Sequence, residues 1–472
     1  MLRFARFASR PSLQGRRALL CAGLVLFGGA GCGAGAAVEP QPRLESPKKA
    51  DEGRRAEPAR RPAGRVRTEE EVVAEMLQRV AAARELDPLR PVRSQRLTRA
   101  QMLSAVKEEL AEDLPEYVAR GTQQLLFALG IVGADFDYRG SVERLLGREL
   151  AGYYDPDDET MYLAEDLSPG ELEATLAHEL VHALQDQHFD VGRHLKYREG
   201  ASDELSALHA LAEGDATSAM LEQMLAPRGM RSTDLADEEV NRSIAESIPD
   251  ADAGGAGVRL LYRAVLASYV DGFGLVQWTR RRWGWARVNE FWRVLPQSTE
   301  QILHPEKLLA REAPEEVPVP SAPAGGPREL VYHDVLGEQS VRVVLEEWVE
   351  GAMAREAAGD WGGDRVAVYC GGGRCAVAWH LRYDFVGAAV RGWAAFAAGI
   401  AGEQGPGAGG PGGEGGTTMC RNRSLGGPIA LVHRGRSLVV VVGPYASEAG
   451  QSVAAADCTK AVRWGETVAA QR

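Results

Sequence analysis

Positive charge, cysteine and long apolar runs are all in short supply in this chain of 472 residues. With 54 Lys and Arg against 66 Asp and Glu, the net charge is −12, which argues against nucleic acid or anionic lipid as a partner. The apolar run from Ala18 to Phe27 is shorter than the roughly 20 residues a membrane-spanning helix needs. There are six cysteines, and they lack the two short-spaced pairs of a four-cysteine zinc site. Fibrous and coiled-coil repeats are absent. What is left, 45% hydrophobic and 25% charged residues, is a globular composition with chain enough for two or three domains and their cores.

At the N-terminus Arg3, Arg6, Arg10, Arg16 and Arg17 precede the apolar run, which ends in Gly28-Gly29-Ala30-Gly31-Cys32. This is the layout of an export signal. The small residues before Cys32 resemble a bacterial lipoprotein cleavage site, where Cys32 becomes the lipidated first residue. Simple cleavage and an uncleaved anchor are the alternatives. The expected location is the cell envelope or the exterior, with membrane contact only through the N-terminal anchor. Removing residues 1–31 removes five arginines and no acid, so the charge goes from −12 to −17. Cys370, Cys375, Cys420 and Cys458 then remain for an oxidising compartment. Of the three pairings they allow, Cys370 with Cys375 and Cys420 with Cys458 is favoured.

Residues 32–67 carry almost no large apolar side chains and read as a disordered tether. Helical periodicity begins around Val72 to Val80 and returns from Met102 to Leu114 and from Tyr117 to Leu129. Ala151 to Leu163 looks like a β-hairpin around Asp155-Pro156-Asp157-Asp158-Glu159-Thr160. Ser168-Pro169-Gly170-Glu171 supplies an N-cap, a first-turn proline and the Glu of a capping box, opening a helix to about His188. Further helices are expected over Asp203 to Leu225, Leu260 to Trp283 and Trp285 to Leu295. Trp278, Trp283, Trp285 and Trp292 fall at near-helical spacing and read as core. Residues 312–327 read as a Pro-rich linker. Beyond it a helix (Val341 to Ala357) and four strands (365–369, 376–381, 429–433, 438–442) predict a smaller α+β domain over 328–472, with a mobile Gly-rich loop at 401–416. The fold class is thus α+β: a mainly helical domain, 68–311, with a small hairpin or sheet, then the smaller domain.

The chemistry lies in His178-Glu179-Leu180-Val181-His182. Each helical residue turns about 100°, so the two histidines lie about 40° apart on one face, one turn apart, and can reach one metal ion. Leu172, Leu176, Leu180, Ala183 and Leu184 occupy the opposite side, leaving a polar front suited to a cleft. Glu179 stands beside the metal and out of the ligand row, where it can take a proton from a water whose pKa zinc lowers to about 7. Catalytic zinc sites keep three protein ligands. The choice for the third is Glu213, within Leu211-Ala212-Glu213-Gly214-Asp215-Ala216, whose small neighbours let two helices approach. His209, one turn earlier, is the alternative ligand or a supporting partner. Asp215 points to another face and can at most orient a histidine. Tyr153, Tyr154, Tyr269 and His304 qualify as oxyanion or substrate donors by residue type alone; each fits the role of a packed aromatic or structural histidine better.

The run His178-Glu179-Leu180-Val181-His182-Ala183-Leu184-Gln185-Asp186 resembles the active-site helix of the gluzincins, zinc metallopeptidases whose third ligand is a Glu on a later helix. The similarity covers roughly residues 151–225. It implies one Zn2+ per chain held by His178, His182 and Glu213, Glu179 as general base, and a peptide or protein substrate along the edge of the preceding hairpin. Asp186 is placed to accept the second ring N–H of His182. The choice of Glu213 rests partly on this resemblance; about 30 residues separate it from His182, and the usual Asn or second Glu beside that ligand is missing. The longer string through Asp190, with Ser298-Thr299-Glu300-Gln301-Ile302-Leu303-His304-Pro305-Glu306-Lys307, also resembles exported bacterial zincin-like proteins. The expected function is an exported zinc metallopeptidase. The alternatives are a non-catalytic zinc-stabilised envelope binding or assembly protein, and a zinc hydrolase of a non-peptide amide.

Overall fold

The computed structural model describes residues 67–247, 255–401, 408–411, 416–423, 427–446 and 457–471. The expected export signal, Cys32 and the expected tether up to residue 66 lie outside the described residues. The chain opens with α1 (Glu69–Arg84), β1 (Arg93–Leu97), α2 (Arg99–Asp113), α3 (Glu116–Leu129) and α4 (Tyr138–Glu149). Then come β2 (Gly152–Asp155), β3 (Thr160–Ala164), α5 (Pro169–Phe189), α6 (Val191–His194), α7 (Ser202–Leu225), α8 (Asp237–Ser247), α9 (Gly255–Arg293), α10 (Thr299–Leu303) and α11 (Pro305–Ala310). The C-terminal part contains β4 (Glu329–Asp334), α12 (Gly337–Leu345), α13 (Gly351–Ala358), β5 (Trp361–Gly371), β6 (Arg374–Tyr383) and α14 (Val386–Ala401). It ends with β7 (Ala408–Pro411), β8 (Thr417–Asn422), β9 (Pro428–Arg434), β10 (Ser437–Ala446) and α15 (Cys458–Ala469). The fold is mixed α+β, with a large helical region followed by an antiparallel sheet unit.

Local chemistry explains the main boundaries. Ser168 and Glu171 form a reciprocal capping box at the start of α5, with Pro169 in the first helical position. The long α9 is interrupted at Gly284 (φ 69°, ψ −167°), a backbone conformation that glycine adopts without a Cβ clash; the two expected helices meet at this residue. Trp285 and Trp292 are core, but Trp283 is 44% exposed and packs edge-on with Trp278, so only half of the tryptophan set is interior. The hairpin β2–β3 is extended by β1, which runs parallel to β3, giving the sheet order β1-β3-β2.

The C-terminal sheet has the order β4-β5-β6-β10-β9-β8-β7 and is antiparallel throughout. Successive strand residues point to opposite faces. Leu438, Val440 and Val442 join the core under α14 with Trp379 and Phe396, while Val439 and Val441 pack under α15 with Ala461, Trp464 and Val468. Both faces are covered, so β10 reads as an unbroken apolar run. The expected disulfides are both present, Cys370–Cys375 across the β5–β6 hairpin and Cys420–Cys458 between β8 and α15.

Three expectations need correction. The helix expected over 341–357 is two, α12 and α13; the chain bends between them, where Glu347 is held by Arg259 and Arg263 of α9. The segment 312–327 has no helix or strand, yet it is a strap fastened along the sheet unit. Glu315 N donates to Gly362 O at 2.6 Å, Trp464 Nε1 to Ser321 O at 2.7 Å, and the Tyr369 hydroxyl to Pro320 O. Within 401–416, residues 408–411 form β7, paired with β8; residues 402–407 and 412–415 lie outside the described residues. The two parts of the molecule also share a core. One apolar cluster runs from Leu125, Leu126 and Tyr138 through Leu260 and Tyr332 to Val377 and Tyr445.

Candidate metal centre

Helices α5, α7 and α9 build the site. Helix α5 is buried all round from Ala174 to Gln187, with α1 and α7 both packed against it. The sequence implied a polar front lining a cleft; instead Glu179 and Glu213 are 0% exposed, His182 1% and His178 7%. Nearby, α7 and α9 approach backbone to backbone. A Cβ on Gly214 would lie 2.1 Å from Gly272 C, and one on Gly272 would lie 1.7 Å from Ala210 O. Glu213 therefore sits where a glycine notch brings two helices together; the small neighbours serve α9.

His178, His182 and Glu213 converge. His178 Nε2 is 3.1 Å from Glu213 Oε2, His182 Nε2 is 3.2 Å from His178 Nε2, and His182 Nε2 is 3.8 Å from Glu213 Oε1. The tautomer of His182 follows from its neighbour. Gln185 Nε2 donates to Ala212 O at 3.0 Å, which fixes the amide, so Gln185 Oε1 must accept from His182 Nδ1 at 2.8 Å. The Nε2 lone pair of His182 then faces both the other imidazole and a carboxylate. In a water-excluded interior either a proton on His178 Nε2 or a bound cation would satisfy that arrangement. Ligands about 2.05 Å from a tetrahedral zinc stand about 3.3 Å apart, which the observed separations match closely for two of the three pairs. Burial also holds His182 below the ordinary imidazole range, keeping it neutral as a ligand must be. Among the described residues, this trio forms a group able to hold a metal ion. A second acidic group, Glu300, Glu312 and Asp384, closes around the Lys307 ammonium at 2.5 to 2.8 Å and is an ion-pair cluster.

The supporting residues are distributed differently from the sequence reading. Asp186 does not touch His182; its carboxylate takes Gly192 N at 3.3 Å and the Tyr154 hydroxyl at 3.4 Å and faces Arg90. Gln185, three positions after His182 and so on the same helix face, has the role expected of Asp186. Asp215 orients no histidine. It is locked by Arg84 at 2.5 and 2.9 Å and by Trp292 Nε1 at 2.7 Å, with Arg84 and Arg280 both placed over Trp285. His209 is outside the ligand trio; its ring is buried, its Nε2 has no hydrogen-bond partner, and burial pushes it down to about 4.

Of the four donors proposed by residue type, the structure brings Tyr269 to the trio, its ring 6.2 Å from that of His178. Tyr153 stacks on Tyr162 at 4.9 Å inside the core, Tyr154 faces Asp186, and His304 bonds Glu338 at 3.0 Å. The string around Thr299 and His304 joins the helical part to the sheet unit. A cavity of about 630 Å³ lies at the far end of α5, lined by Arg90, Asp186, Phe189, Arg193 and Trp292 among others, so the ligand trio does not open into it.

Residues 328–453, the sheet unit without α15, match a family model described as Domain of unknown function (DUF8575); the match leaves out the helices that carry the trio. Comparison with curated proteins found no match, and neither did comparison with solved structures.

Proposed function

We propose that the chain is a zinc-dependent hydrolase whose substrate is a peptide or protein, acting outside the cytoplasm. The observation that carries the metal part is the convergence of the His182 Nε2 lone pair, His178 Nε2 and the Glu213 carboxylate on one point. Zinc, when bound, supplies a Lewis acid and acidifies a water. The chain's own groups then have defined tasks. Glu179, next to His178 and wholly buried, takes a proton from the attacking nucleophile and returns it to the leaving amine. Gln185 holds His182 in the tautomer that leaves Nε2 free to ligate. Tyr269, its ring 6.2 Å from that of His178, is the phenol assigned to a developing oxyanion. The two disulfides fit an oxidising compartment, and the N-terminal signal with Cys32 supports an envelope lipoprotein or a secreted protein.

A second reading, a zinc-stabilised protein without activity, is favoured by one observation: the trio and Glu179 are at most 7% exposed. Two variants separate the readings. About one zinc per chain is expected in the parent and far less in Glu213→Ala, by atomic spectroscopy. Glu179→Gln should keep the zinc and lose hydrolysis across a panel of peptide and glycopeptide substrates. A zinc-loaded parent with no hydrolysis to lose favours the structural role; a folded parent without zinc rules out both.

A further inference from the structure

Helix α7 carries the third ligand, yet its N-terminus has no side-chain cap of its own. The first N–H groups of a helix need acceptors, and those of α7 are supplied by the sheet unit. Asp334, buried at the end of β4, accepts from Ser202 N at 3.2 Å and from Ser202 Oγ at 2.5 Å, and Val335 O accepts from Asp203 N at 3.1 Å. Gly337, at the start of α12, is packed so closely on Asp203 that a Cβ there would fall 1.7 Å from its Oδ1. The sheet unit thus grips the ligand helix at its first two residues, eleven and ten positions before Glu213.

It grips again at the ligand itself, through α9. Arg342 of α12 binds Asp271 with two hydrogen bonds, 3.1 and 2.7 Å, and Gln339 Nε2 adds a third at 2.7 Å. The residue after Asp271 is Gly272, the one wedged against Ala210 and Gly214, which flank Glu213 on α7. A shift of α12 is therefore passed by Asp271 to the glycine notch, and the notch sets where the Glu213 carboxylate stands relative to α5. Metal sites tolerate only about 0.5 Å of such movement.

We propose that the sheet unit, whose family model has no assigned role, is a clamp that positions Glu213, with Asp334, Gln339 and Arg342 as its positioning residues. The proposal rests on the metal reading above. It predicts that the two parts cannot be separated without loss of the metal site, and that the clamp sets zinc affinity from a distance, without touching the ion.

The test uses the full chain, freed of metal, with zinc Kd from chelator competition and geometry from the visible absorption of bound cobalt(II). Asp334→Asn and Arg342→Lys should each weaken zinc binding about tenfold and alter the cobalt spectrum. Thr467→Ala, on the outer face of α15, should change neither. A purely structural role lowers the melting temperature of the metal-free chain and leaves Kd and spectrum as in the parent; that result in folded variants overturns the clamp. If both variants fail to fold, Gln339→Ala, which removes a single hydrogen bond, decides on the same readouts, an unchanged Kd and spectrum again being fatal. A parent that binds no zinc overturns the metal reading itself, and with it the clamp.

Discussion

Gln185 accepts the Nδ1 proton of His182 at 2.8 Å while its own amide donates to Ala212 O on α7 at 3.0 Å. One side chain therefore fixes the tautomer of a candidate ligand and ties α5 to the helix bearing Glu213. Replacing it by Leu keeps the volume and removes both bonds. Zinc affinity in Gln185→Leu should fall about 10- to 100-fold, measured by chelator competition. Asp186→Asn, one residue on, should leave affinity within about twofold, because the Asp186 carboxylate faces Gly192, Tyr154 and Arg90.

The contrast between these neighbours shows what the sequence makes legible. Helical spacing brings His178 and His182 to one face and places Glu179 beside them, and Glu213 lies 3.1 Å from His178 Nε2. Both disulfide pairings are found in the structure, and the break at Gly284 falls between the two helices read from the tryptophan-rich segment. Spacing could not choose between Gln185 and Asp186 as the partner of His182, since positions three and four along a helix are both neighbours. Arg84 was invisible as a partner of Asp215 because 131 residues separate them. Nor does any local pattern reveal that Asp334 caps a helix starting at Ser202. The strands β4 and β8 escaped notice because four of the six positions in each are polar or exposed.

Gly272 offers a sharp packing test. A Cβ there would fall 1.7 Å from Ala210 O, and backbone cannot yield as a flexible side chain does. Gly272→Ala should cost at least the 1–3 kcal/mol roughly typical of overpacking, lowering the melting temperature, and should weaken zinc binding by moving α7. Gly274, two residues on in the same helix, meets nothing within 4 Å. Gly274→Ala should gain about 0.5–1 kcal/mol from reduced backbone entropy, with zinc binding unchanged. Paired thermal melts and chelator titrations would read both outcomes.

The Arg84–Asp215 pair is 0% exposed on both sides. Removing one partner leaves the other charge buried and uncompensated, a loss of about 3–5 kcal/mol. Arg84→Met should therefore be strongly destabilising in urea, while the double variant Arg84→Met, Asp215→Asn should recover much of the loss. A double variant no better than the single one would mean that Trp285 stacking by Arg84, at 4.2 Å, dominates instead.

The junction between helical part and sheet unit buries carboxylates that resist ionisation, and this sets a pH dependence. Burial pushes Asp203 up to about 8, Glu300 to about 7 and Asp334 to about 6. Asp203 faces Thr299, which lowers its pKa by hydrogen bonding, and the charges of Asp364 and Glu300, which raise it; Lys307 faces Glu300. A carboxyl whose folded value exceeds its unfolded one binds its proton more tightly when folded. Its contribution to stability is complete below the unfolded range near 4 and is lost as pH rises towards 8. The metal-free chain should therefore melt at a lower temperature at pH 8.5 than at pH 5.5. Asparagine at position 203 still accepts from Thr299 but carries no proton to lose. Asp203→Asn should flatten the upper part of that slope, between about pH 6 and 8, and match or exceed the parent's stability at the alkaline end. An unchanged slope would assign the pH dependence to other groups and leave Asp203 ionised at neutral pH, held by Thr299 alone.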